Sequence, residues 1–245
     1  MIAWKQALER QLSEPGAPAA ITLGALSRAA SIARGADIPD RTLHAWIADA
    51  IARNRLAPLV RGLYLNRFTS PPGRLADAVP HVRRDAVVSL HTALDEAGAY
   101  NNPPHGVTAV VPLDIGPTRP RVGTVTTAQG PVYVRAIPRH ILEAGAVEDR
   151  LDLDRGHAHP RATPEKALLD WLYLARSPRS TLSPPLLQDV DIGELDKARL
   201  RRLAKAMGLE QTLTRWREGN FVLRARASGK SQSDLRKRRP RRRRT

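Results

Sequence analysis

The side chains best placed to act on another molecule are cations, and their spacing fits recognition of a polyanion. In the periodic stretch DRTLHAWIADAIA, Arg41, Thr42, His44 and Ala45 fall on one side, opposite an apolar stripe. Arg41 and His44 lie near the N-terminal end of that stretch, where such side chains can reach base edges or phosphates. Arg53, Arg55 and Arg61 follow, and Arg61 falls beside Gly62 in a tight turn. An arginine at such a tip can clamp a phosphate or enter a minor groove. Lys197, Arg201, Arg202 and Lys205 share one face of a second amphipathic stretch. A solvated face is the ordinary meaning of such a cluster, but the excess of one sign also fits DNA, RNA or an acidic protein surface. Arg236, Lys237, Arg238, Arg239, Arg241, Arg242, Arg243 and Arg244 crowd the last ten residues. That tail is too charged to collapse and is expected to be disordered. It can neutralise phosphates without reading sequence.

Signals for catalysis are poor. His157 and His159 could offer two metal ligands, but no third stands at a recognised spacing, and the chain has no cysteine. Asp152 and Asp154 resemble a magnesium-binding pair without the Gly-Ser element that accompanies it in nucleotidyltransferases. None of the six lysines has an acidic residue or glutamine two positions before it, as many nucleases require. Neither a phosphate-binding GKS/T loop nor a G-x-S-x-G elbow occurs. Ser89 and His91 fall inside a predicted helix. The expectation is a non-enzyme without metal or cofactor.

The elements that would carry the cations follow from periodicity. Residues 2–13 read as a helix ended by EPGAP, and Thr22 can cap a second helix with Leu23, Leu26 and Ala30 inward. Leu43, Trp46, Ile47, Ala50 and Ile51 recur at i, i+3, i+4, i+7 and i+8, the stripe of a third helix starting at Pro39 or Asp40. Leu56 to Val60 and Leu63 to Asn66 flank Arg61-Gly62 as a hairpin. Three helices followed by a basic hairpin predict a winged helix-turn-helix over residues 1–70, with SPPG at 70–73 as its boundary.

Beyond it, RRDAVVSLHTALDEAG reads as a helix closed by Gly98, and VTAVVP, RVGTVTT and GPVYVRAIP as strands. Thr163, Pro164 and Glu165 form a strong helix start. DKARLRRLAKAMG and LEQTLTRWREGNF supply two more helices after a connector. The net charge is +16 over 245 residues, half of it in the tail. Such a balance favours nucleic acid or an anionic membrane surface as partner. Arginine outnumbers lysine 34 to 6, which a GC-rich genome explains as readily as phosphate recognition. No apolar run is long enough to span a membrane and no signal pattern opens the chain, so the expected compartment is the cytoplasm.

Four stretches together resemble the AbiEi family of type IV antitoxins: RGLYLNR, DAVVSLHTALDEAG, VTAVVP and ATPEKALLDWLYL, the last being the most specific. The similarity spans roughly residues 20–210. It implies an α+β fold: the winged helix-turn-helix over 1–70, a mixed α/β antitoxin-like domain with C-terminal helices over 71–235, and the tail over 236–245. It further implies binding of double-stranded DNA at inverted repeats of the chain's own promoter, with repression and two molecules per site. The second domain would counter a nucleotidyltransferase-like toxin without a stable complex, using basic residues matched here by Lys197, Arg201, Arg202 and Lys205. Two alternatives are a ligand-responsive winged-helix transcription factor and a nucleic-acid-processing enzyme.

Overall fold

The computed structural model describes residues 3–103, 105–114, 121–152, 159–178 and 180–220. The architecture is mixed α+β, with ten α-helices and two small sheets among those residues. The first part contains α1 (Ala3–Ser13), β1 (Ala20–Thr22), α2 (Leu23–Arg34), α3 (Asp40–Ala52), β2 (Leu56–Val60) and β3 (Leu63–Asn66). The Thr22 hydroxyl accepts a hydrogen bond from the Ala25 amide at 3.2 Å, which starts α2 by satisfying an orphan donor. Gly35, at φ 72°, ends it. The α3 stripe lies as its spacing predicts: Leu43, Trp46, Ile47 and Ala50 are buried against Leu8 and Leu12 of α1 and Leu26 and Ala30 of α2. Trp46 stacks on Phe68 with centroids 6.2 Å apart.

Strand β1 is an element that periodicity did not reveal, since three residues are too few to show a period. It pairs antiparallel with β3, giving the order β1-β3-β2. Alternation along β3 buries both faces of this sheet. Tyr64 turns toward the three helices, while Leu63 and Leu65 pack with Ala57 and Leu59 against Ala78. The residues that cover this second face form a 3₁₀ turn (Leu75–Ala78) and α4 (Val79–Val82). Their other side meets the larger sheet, where Ala76 and Val79 pack on Val88, Ala109, Val132 and Val134.

That sheet contains β4 (Val87–Val88), β5 (Val107–Leu113), β6 (Gly123–Thr127) and β7 (Gly130–Pro138) in the order β4-β5-β7-β6, with β5 and β7 parallel. The helix predicted over 83–98 is a correction. The chain instead forms β4 and then a six-residue helix, α5 (His91–Glu96). Asp85 and Leu90 sit at φ 62° and 59°, left-handed conformations that cannot lie inside a right-handed helix. The β-branched pair Val87-Val88 has a strand partner in β5. Ser89 therefore follows a strand and His91 begins a helix.

The far face of the larger sheet packs on α8 (Pro164–Arg176), which follows the short α6 (Arg139–Leu142) and α7 (Val147–Arg150) and precedes α9 (Lys197–Ala206) and α10 (Glu210–Arg217). The Thr163 hydroxyl caps α8 at the Lys166 amide, and Pro164 occupies its first turn. Leu168, Leu169 and Leu172 are wholly buried. Each contributes about 1.5–3 kcal/mol relative to exposure.

Candidate nucleic-acid interface

Helix α3 turns its cations outward because its apolar stripe is consumed by the core. Arg41, Thr42, His44 and Ala45 are all exposed. Arg41 makes no ion pair among the described residues, while the His44 ring contacts the Asp40 carbonyl at 2.8 Å, one helical turn back. The hairpin follows α3 directly, and Gly62 at φ 75° makes the turn that leaves Arg61 exposed at its tip. Gly62 also receives the Leu23 amide on its carbonyl at 2.8 Å, fixing the hairpin to the start of α2.

Arg53, Arg55 and Arg67, by contrast, are engaged. Arg53 pairs with Glu9 at 2.8 Å and Asp49 at 2.7 Å, and the hydrogen bond to Glu9 raises its pKa further. Arg55 lies with its guanidinium 4.7 Å from the centre of the Phe68 ring, a cation–π arrangement. Arg67 bonds to Asn54 and, at 3.1 Å, to Gln129 of the β6–β7 turn. That turn also donates the Ala128 amide to the Leu59 carbonyl at 2.9 Å, so it covers the open edge of β2. Arg41 and Arg61 therefore stand apart from Arg53 and Arg55 as cations without a fixed partner.

On α9, Leu200, Leu203, Ala204 and Met207 are buried, and Lys197, Arg201 and Lys205 are exposed. Arg202 differs from its three neighbours. It grips Asp149 through two bonds of 2.6 and 3.0 Å, and this holds the Asp149 carboxyl below the usual range. Arg199, absent from the sequence-based set, shares Asp149 at 3.6 Å and reaches Glu165 at 3.5 Å. Its place beside the apolar stripe marks it as a packing cation. Spacing alone could have shown that, but not the identity of its partners. Glu165 in turn accepts the Asp196 amide at 2.7 Å, tying α8 to the start of α9.

A second concentration of charge is buried. Lys166 and Asp170, one turn apart on α8, form an ion pair at 1 % and 0 % exposure. Ser89 donates to the same carboxylate at 2.8 Å. Burial raises the Asp170 pKa against the pull of Lys166 and Ser89. His159 is also enclosed rather than lying in an open loop, and its ring meets Asp77 at 3.0 Å. His157, Asp154 and the cationic tail from Arg236 to Arg244 lie outside the described residues. Among the described residues no group of three His, Cys, Asp or Glu could hold a metal ion, and no helix is long and apolar enough to cross a membrane.

No protein-family model and no curated protein sequence matches the chain. Among solved structures it is similar to the RV2827C protein from Mycobacterium tuberculosis, at 19% identity and a TM-score of 0.52, over 89% of this chain and 76% of that one. At that identity the likeness is one of fold.

Proposed function

We propose that this chain is a DNA-binding repressor of the AbiEi antitoxin type, with residues 1–70 acting as a winged helix-turn-helix. The observation that carries the reading is the exposed set Arg41, Thr42, His44 and Ala45 on α3, followed directly by a hairpin tipped with exposed Arg61. In this reading α3 enters a major groove, and Arg41 and His44 meet base edges or phosphates. Arg61 contacts the adjoining backbone or minor groove. The engaged side chains Arg53 and Arg55 set the position of the hairpin rather than reaching phosphate themselves. Two molecules occupy the two halves of an inverted repeat in the chain's own promoter.

The antitoxin role rests on the family resemblance. Lys197, Arg201 and Lys205 are its free basic face, and the activity countered is that of a nucleotidyltransferase-like toxin. Quantitative footprinting on the upstream region tests the DNA-binding part. Protection of an inverted repeat that Arg41→Ala abolishes, and that deletion of residues 236–245 only weakens, is the expected result. Salt-sensitive binding with no footprint overturns it. Rescue of growth when the neighbouring gene is expressed with this one tests the antitoxin part, and failure of rescue leaves a repressor without that role.

A further inference from the structure

We infer that the outer edge of β6 is a pairing surface for a second copy of this chain, the two β6 strands lying antiparallel about Val125 and joining their sheets into one. Strand β6 ends the larger sheet, and among the described residues nothing pairs with its outer side. The margins at β4 and β2 are closed. The Val88 amide donates to the Pro160 carbonyl at 3.0 Å, and the Val88 carbonyl accepts from the Ala162 amide at 2.8 Å. At β2 the Ala128 amide reaches the Leu59 carbonyl.

A proline fixes which groups of β6 face outward. Thr126 stands opposite Pro131, Val125 opposite Val132 and Thr124 opposite Tyr133. Antiparallel neighbours alternate between pairs that exchange both backbone hydrogen bonds and pairs that exchange none. Pro131 has no N–H, so Thr126 belongs to a pair of the second kind, and so does Thr124 two residues before it. The N–H and C=O groups of Thr124 and Thr126 therefore point away from β7, and both side chains are exposed. The devices that usually protect such an edge are missing. Gly123–Thr127 carries no charge, no proline and no register shift, whereas β2 has Pro58 and a shift between Pro58 and Val60.

The segment is complementary to itself, which points to a second copy as the occupant. With Val125 on a two-fold axis, Thr124 faces Thr126 of the other copy. Each such pair exchanges both hydrogen bonds, so every outward group is satisfied. Val125 meets its own equivalent in the closer, non-hydrogen-bonded position, and the threonines pair across the junction. Val122, which is 56 % exposed, comes opposite Ala128, and Arg121 comes opposite Gln129, so no like charges oppose one another. This is an isologous contact that closes at two copies. The two Ala128-Gln129 turns, each fixed to its own β2, then lie about 20 Å apart at opposite ends of the junction, at about 3.4 Å per residue. The inference stands on the sheet and not on the reading of α3, so either can fail alone. Where both hold, the junction supplies the two-fold axis that an inverted repeat requires.

Sedimentation equilibrium of the full chain without DNA, across the micromolar range and at about 0.15 M salt to screen distant charges, is the test. A reversible monomer–dimer equilibrium is expected. Thr124→Lys combined with Thr126→Lys sets like charges opposite each other and should weaken association by about tenfold or more. Thr124→Lys combined with Thr126→Glu sets opposite charges together and should associate at least as well as the unaltered chain. Thr126→Pro, which removes an outward N–H and leaves the bonds to β7 in place, should also weaken it. Unchanged thermal melting of the monomer shows that each variant is folded. A monomer at every concentration overturns the proposal. Undiminished association of the double-lysine variant would mean that the copies meet elsewhere, and equal loss in both charged variants would rule out the register about Val125.

Discussion

Helices α3 and α8 are both 13 residues long, yet they dispose of charge in opposite ways. In α3 the buried positions are Leu43, Trp46, Ile47 and Ala50, and every charged side chain faces water. In α8 the buried positions include Glu165, Lys166 and Asp170 among the leucines. The difference follows from what surrounds each helix. One side of α3 is open, so its cations keep their hydration. Helix α8 is enclosed by the larger sheet, α5, α9 and α10, so its charges persist only through partners within the fold. Exposed cations can be changed at little cost to folding, whereas enclosed ones cannot.

The strongest way to break this contrast is to strand one member of the buried pair. Asp170→Ala leaves the Lys166 ammonium enclosed without its counter-charge, and a loss of about 3–5 kcal/mol in urea unfolding is expected. A double change to Lys166→Met and Asp170→Leu should recover most of that loss, because well-packed apolar groups replace a buried pair at small cost. A loss under about 1 kcal/mol for Asp170→Ala would mean that water reaches the site and the contrast with α3 is weaker than its burial implies.

A pH titration sharpens the same point at His91, which packs edge-on against Trp171 with ring centroids 5.3 Å apart. Burial, aided by Arg135, lowers its pKa from 6.5 to about 4. The unfolded chain therefore binds the extra proton first, and stability rises with pH between about 4 and 6.5. The full change is on the order of 3 kcal/mol. His91→Phe should flatten the unfolding midpoint across that window, and a slope that survives the substitution would assign it to other groups.

On the open side, Arg41→Ala should cost about 1–3 kcal/mol of operator binding and little on scrambled DNA. Equal loss on both sequences would reduce Arg41 to a phosphate contact. Its folding stability should stay within about 0.5 kcal/mol. The smallest effects separate the free cations from the tethered ones. Arg61→Ala should weaken DNA binding more than Arg53→Ala, because Arg53 is already held by Glu9 and Asp49. Arg53→Ala should instead cost a few tenths of a kcal/mol in unfolding, as exposed ion pairs do. The reverse order in a binding titration would show that Arg53 leaves its partners for phosphate.

Much of the first region was legible because its elements are local. The Thr22 cap, the α3 stripe and the turn at Arg61-Gly62 each depend on residues close in the chain. The start of α8 at Thr163-Pro164 was legible for the same reason. The error over 83–98 has a different origin. That stretch has a helical apolar pattern, but Val87 and Val88 find a strand partner more than twenty positions away, and no local signal declares it. The tether between Arg202 and Asp149 was equally hidden, since 53 residues separate them. On periodicity alone, Arg202 was indistinguishable from Arg201.

By itself the amino-acid sequence determined where α2, α3 and α8 begin, which side of α3 is apolar, and where the hairpin turns, because caps, stripes and tight turns are set by neighbours a few residues apart. It also determined the excess of positive charge. Only the tertiary structure decided which cations stay free. Lys166 and Asp170, four apart, have the spacing of an ordinary solvent-facing pair, and burial of α8 on all sides turned them into an enclosed ion pair. The physical reason is that a charge takes its meaning from the medium around it. That medium is built by segments far away in the chain.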